Sequence, residues 1–140
     1  MIRIHERIWT MKQIVKTAEK IMKEAKELTG WNFVGGVKGN NCTIRADLLN
    51  EADKQIKVIM EIKANDVLIK IMGVDESFDR KSLERVQGKL QFPVEAHLVE
   101  GESFALLYHE PLGVLEHSVK GVMKEVITPM VNVIGEMLAE

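Results

Sequence analysis

The sequence predicts an α+β domain: an N-terminal helix, an antiparallel sheet of about five to six strands with a short helix inserted, and a long C-terminal helix packed on one face. Three observations predict it. Residues 31–72 alternate apolar and polar positions in short runs separated by turn residues, which is the period of a half-buried strand. The segments on either side repeat apolar residues every three to four positions, which is the period of an amphipathic helix. Helices and strands are also segregated along the chain rather than alternating one by one, which favours antiparallel pairing with helices on one face. A length of 140 residues suits a single domain over 1–140 with a core of its own.

The first helix is expected near residues 6–29. Ile8, Met11, Val15, Ala18, Met22 and Ala25 form its apolar stripe, and Ile14, Ile21 and Leu28 widen it. Lys12, Lys16, Lys20 and Lys23 share the opposite side with Glu19, Glu24 and Glu27, and Gly30 suits a left-handed C-terminal cap. A strand follows on Trp31, Phe33, Gly35 and Val37, closed by the turn Gly39-Asn40-Asn41. Cys42, Ile44, Ala46 and Leu48 mark the second strand, with a turn at Asn50 to Asp53. Ile56, Val58, Met60 and Ile62 mark the third, and Asn65-Asp66 turns into a fourth on Val67, Ile69 and Ile71. Lys57 and Glu61 on the wet face are placed to pair with Asp47 and Arg45.

Beyond residue 74 the period changes. Asp75 or Ser77 caps a short helix with Phe78, Leu83 and Val86 on its apolar edge and Gly88 at its end. Two strands come next, Phe92 to Val99 and Phe104 to His109, turning at Gly101; Pro93 marks the first as an edge strand. The last helix starts at Pro111 or Leu112. Pro129 lies inside it and is expected to kink it or split it in two.

Composition excludes several classes. Apolar residues make up 46% and charged residues 29%, too apolar for a disordered chain. The net charge of −2 gives no field for nucleic acid or an anionic membrane, so neither is an expected partner. Charge is uneven: residues 1–29 carry seven Lys/Arg against four Asp/Glu, and residues 91–140 two against eight, which reads as two differently charged solvated faces. Cys42 is the single cysteine and falls on the apolar parity of its strand, so no intrachain disulfide forms and a buried thiol is expected. No apolar run has the length of a membrane span, the N-terminus lacks a signal-peptide pattern, and the cytoplasm is the expected location.

No motif assigns chemistry. The glycine-rich stretch Val34 to Asn41 lacks the helix start and Lys-Ser/Thr spacing of a phosphate loop and reads as hairpin geometry. His5, His97, His109 and His117 show no helical zinc spacing, and Asp75, Glu76 and Asp79 do not follow a calcium loop. No serine sits in a nucleophile elbow. Catalytic residues, metal ligands and a cofactor are therefore not assigned, and the balance leans away from an enzyme.

The C-terminal helix carries the strongest signal. Leu115, Val119, Val122, Val126, Met130, Val133 and Met137 form one apolar row, and Met123, Ile127, Ile134 and Leu138 a second. A surface helix on a monomer needs one stripe. Two rows point to two partners, the domain itself and a second chain, which makes the first row the candidate interface of a homodimer.

The order of elements, together with the passage from Phe104-Ala-Leu-Leu-Tyr-His-Glu-Pro-Leu112 into the amphipathic run from Val114, resembles the type III secretion chaperone-like fold, including the YbjN-like proteins. The resemblance covers nearly the whole chain by layout. The strand at Asp66–Met72 and the proline at 129 depart from the family pattern. It implies a small bacterial or archaeal homodimer without enzymatic activity that binds segments of a protein client, and it transfers no residue-level site. The alternative from the residues is a small-molecule-binding or enzymatic domain with a pocket between sheet and helices, where Tyr108, His97 or Arg45 converge. A structural subunit of a larger assembly is the third reading.

Overall fold

The computed structural model describes residues 9–74, 79–99 and 103–139. Helix α1 (Met11–Thr29) begins where Thr10 caps it. The Gln13 amide donates to Thr10 Oγ1 at 3.2 Å and the Thr10 amide donates to Gln13 Oε1 at 3.0 Å, a reciprocal capping box. Residues 6–8 of the expected helix lie outside the described residues, and Trp9 and Thr10, also expected within it, precede its first turn. Gly30 takes φ 76 and its amide donates to Lys26 O at 2.8 Å, closing the helix as the sequence predicts. The buried line is Ile14, Ala18, Ile21 and Ala25. The stripe is thus centred on two residues expected to flank it, because the small Ala18 and Ala25 bring that line closest to its neighbours, while Leu28 remains exposed.

Six strands form one antiparallel sheet: β1 (Val34–Lys38), β2 (Asn41–Leu49), β3 (Gln55–Lys63), β4 (Asp66–Val74), β5 (Glu95–Val99) and β6 (Ser103–Pro111), in the order β1-β2-β3-β4-β6-β5. Period-two alternation puts Cys42, Ile44, Ala46, Ile56, Val58, Met60, Ile62, Val67, Ile69 and Ile71 on one buried face. Phe104 and Leu106 of β6 complete it. β5 is an edge strand, in keeping with Pro93 just ahead of it. In the β3–β4 turn, Ala64 rather than Asn65 takes the left-handed conformation, at φ 55. The expected pairing of Lys57 and Glu61 is corrected in part. The register sets Asp47 opposite Lys57, but Glu61 faces Thr43 and binds Lys70 diagonally at 3.4 Å.

Helix α2 (Arg80–Gly88) is capped by Asp79, whose Oδ1 accepts from the Ser82 amide and hydroxyl, both at 2.9 Å. Asp75, Ser77 and Phe78, and the Gly101 turn, lie outside the described residues. The C-terminal segment is helical in four pieces: α3 (Leu112–His117), α4 (Val119–Val122), a π turn (Met123–Ile127) and α5 (Thr128–Leu138). Ser118, at φ −141 and ψ 64, separates the first two. Pro129 sits in the first turn of α5, directly after the π turn, and the Thr128 amide there reaches back to Met123 O. The wider turn moves aside the carbonyl that the proline ring would otherwise strike, and the missing proline N–H falls at a helix start. The backbone therefore stays helical through Pro129, and the break in the segment falls at Ser118 instead.

Every element but β1 contributes to one core, and no polar or charged residue among those described is buried. No described helix is long and apolar enough to cross a membrane. Asn50 fastens the β2–β3 turn to α5. Its Oδ1 accepts from the Ala52 amide at 3.0 Å and the Lys54 amide at 2.8 Å, and its Nδ2 donates to Gly135 O at 3.1 Å. Asn50→Ala removes all three bonds and is expected to cost about 1–3 kcal/mol, read as a lower urea midpoint at unchanged slope.

Candidate functional site

The structure places the seven interface candidates unequally. Leu115, Val119, Val122, Met130 and Met137 are 0%, 1%, 6%, 0% and 4% exposed within the single chain. They have no surface left to give a partner, so for these five the expected interface role is corrected to core. The reason is how the helical layer is shared: α1 packs on β1 and β2, α3 and α4 pack on α1, and α5 packs on β3 and β4, so both apolar rows of the C-terminal segment find partners inside the domain. Val126 and Val133 alone stay half-buried at the surface.

The polar groups named for a pocket do not converge. Tyr108 lies opposite Ile69 on the helix-covered face, whereas His97 opposes Ala105 and Arg45 opposes Ile59 on the other face. Burial pushes the Tyr108 hydroxyl up, with the Glu110 charge and the bond it donates to Glu110 adding; burial also raises the Glu110 carboxyl. Phe92 packs edge-on against Tyr108 at 5.3 Å, so this group closes the end of the sheet. Cys42 is buried as expected, and desolvation followed by the Glu19 charge pushes its thiol up, which keeps it protonated and inert. Among the described residues, no three metal-capable side chains come together.

An open cleft of about 740 Å³ lies between the β2–β3 turn and α5, walled by Trp31, Leu48, Ile56 and Val131 with Asn132 and Glu136 at its rim. It is mixed in polarity and presents no convergent catalytic set.

The more distinctive surface is the sheet face turned away from the helices. No described element covers it, yet it carries an apolar strip. Ile59 of β3, Leu68 and Met72 of β4, and Leu107 of β6 stand half-buried there, around the buried Ala105. Register sets Met72 opposite Ala105, and Lys70 between Ile59 and Leu107. Lys70 stands inside the strip and is paired with Glu61 at 3.4 Å, while Arg45–Asp47 at 3.5 Å and His109 Nδ1 beside Asp66 Oδ2 at 3.0 Å lie at its borders. Exposed pairs of this kind contribute at most about 1 kcal/mol each to stability. Their larger effect is to neutralise one another beside the apolar strip. Sequence reading missed this surface because it followed the more regular parity of each strand. The signal was present: β4 and β6 are apolar on both parities, with Leu68, Met72, Ala105 and Leu107 on the second.

No protein-family model, curated protein or solved structure matches this chain. The functional reading therefore rests on the surface itself.

Proposed function

We propose that this chain is a non-enzymatic, chaperone-like protein-binding module that works as a homodimer and holds its client on the uncovered sheet face. The supporting observation is the apolar strip of Ile59, Leu68, Met72 and Leu107, over which no described element lies. Antiparallel sheets tolerate one wet face, but that face is ordinarily polar. A half-buried apolar strip, with the one cation inside it neutralised by Glu61 and polar groups at its borders, has much of the anatomy of a recognition patch.

The test uses the full chain with Leu68→Glu and Met72→Glu together, and a permanently unfolded model polypeptide as probe. Loss of two central apolar anchors is expected to weaken binding at least roughly tenfold, about 1.4 kcal/mol or more. Both side chains sit on the face without helices, so the melting transition is expected to stay cooperative. Equal affinity for wild type and variant rejects the sheet face as the binding surface. A small-molecule role has one observation in its favour, the cleft beside Trp31. A ligand retained there through purification and seen by native mass spectrometry supports that reading instead.

A further inference from the structure

Among the described residues nothing pairs with the outer side of β1, which leaves one whole edge of the sheet open. Val34, Gly35, Gly36, Val37 and Lys38 are all exposed, and the two valines are 53% and 55% open. Proteins guard such edges with proline, a bulge, an inward-pointing charge or a covering loop. β1 has no proline, and its register with β2 runs unbroken from Val34↔Arg45 to Lys38↔Asn41. Its single charge, Lys38, sits at the last position. The opposite edge, β5, differs: Pro93 precedes it, and it carries Glu95 and His97, both exposed.

We propose that β1 pairs antiparallel with β1 of a second copy, across a two-fold axis through Gly36, joining the two sheets edge to edge. This rests on the homodimer reading above and gives it a geometry. In such a pair with the axis normal to the sheet, facing residues must share a sheet face, so only registers centred on a residue are allowed. Centring on Gly36 is the one choice that pairs all five residues of β1. Gly36 then faces its own copy, Gly35 faces Val37, and Val34 faces Lys38. No side chain meets itself on the axis, and the two Lys38 charges are never opposed. Gly36 also has open space around it, since a Cβ there meets nothing within 4 Å, whereas one on Gly35 meets Met22 Cε at 2.9 Å. The axis keeps both uncovered faces on the same side, so the two apolar strips lie on one continuous surface. Five pairs bury less than a standard interface, so the dimer is reversible and grows with concentration.

The test is oxidation of full-length Gly36→Cys and, as a control, Lys38→Cys. Cys42 is 3% exposed and does not compete. Facing Cα atoms are about 4.5–5.5 Å apart, inside the roughly 4.4–6.8 Å that a disulfide spans. Gly36→Cys is therefore expected to give a covalent dimer in high yield. Copies of Lys38→Cys stand four residues apart along the strands, about 13 Å, and are expected to give none. Hydrogen exchange on the wild type supplies a second readout: amides of 34–38 are expected to slow as concentration rises. A wild-type dimer in sedimentation, with neither the Gly36 crosslink nor protection of β1, overturns the edge pairing and leaves the homodimer reading standing. A monomer at every concentration, without crosslink or protection, overturns both. Protection of β1 only on adding an extended peptide gives the edge to a different occupant and also overturns the pairing.

Discussion

Ending the chain at Thr128 is expected to abolish the cooperative fold rather than release a folded monomer. The deleted segment contributes Met130, Val131, Ile134, Met137 and Leu138, all buried in the single chain. At about 1.5–3 kcal/mol per buried side chain, these five account for roughly 7–15 kcal/mol, as much as the whole stability of a typical domain, about 5–15 kcal/mol. α5 also holds the β2–β3 turn through Asn50 and Gly135, so its loss frees that hairpin as well. The shortened chain should show no cooperative thermal transition by circular dichroism and no dispersed amide spectrum. A transition within a few degrees of the full chain's would mean that α5 is an appendage, and would return it to the role of an interface.

The second large effect is expected at Gly73. It lies in β4 directly opposite Phe104 of β6, and both are buried. A Cβ built on Gly73 comes within 2.7 Å of Phe104 Cε1, closer than real Cβ contacts, and within a tight 3.2 Å of Cε2. The aromatic ring lies over the glycine and fills the space that a side chain would occupy, a packing device known at glycines within sheets. Gly73→Val adds volume where none is free and is expected to cost about 3 kcal/mol or more, the upper end for overpacked cores. For a domain of this size that lowers the melting temperature by about 10 °C. Phe104→Leu on its own opens a cavity and is also destabilising. The double variant Gly73→Val with Phe104→Leu is expected to be more stable than the sum of the two losses predicts, by about 1 kcal/mol or more. Strict additivity would show that the ring and the glycine do not compete for the same space.

Local signals in the sequence carried far for some elements and stopped short for others. Gly30 and Gly39 marked the end of α1 and the first hairpin because each occupies a left-handed backbone position that favours glycine. Pro129 marked a discontinuity, but the sequence could not choose between a bend and a π turn. That choice depends on what Met123, Ile127 and Met130 pack against. The cap of α2 went to Asp79 through its bonds to Ser82. The short sequence offers several acidic and hydroxyl residues, and only the point of helix entry selects among them. The binding surface was the least legible. Leu68, Met72 and Leu107 read as incidental interruptions of a polar parity until β4 and β6 were seen to be neighbours.

By itself the sequence determined the α+β class, the strands and the helical segments around them, and which parity of β2, β3 and β4 is buried. These depend on periodicity and turn chemistry, which act within a few residues along the chain. Only the tertiary structure decided that β6 lies between β4 and β5, that all but Val126 and Val133 of the two apolar rows of the C-terminal segment are buried inside one copy, and that no described element covers the apolar strip on the opposite face. Those outcomes depend on how much apolar area each layer offers the next, a sum over contacts between residues far apart in sequence that no local pattern contains.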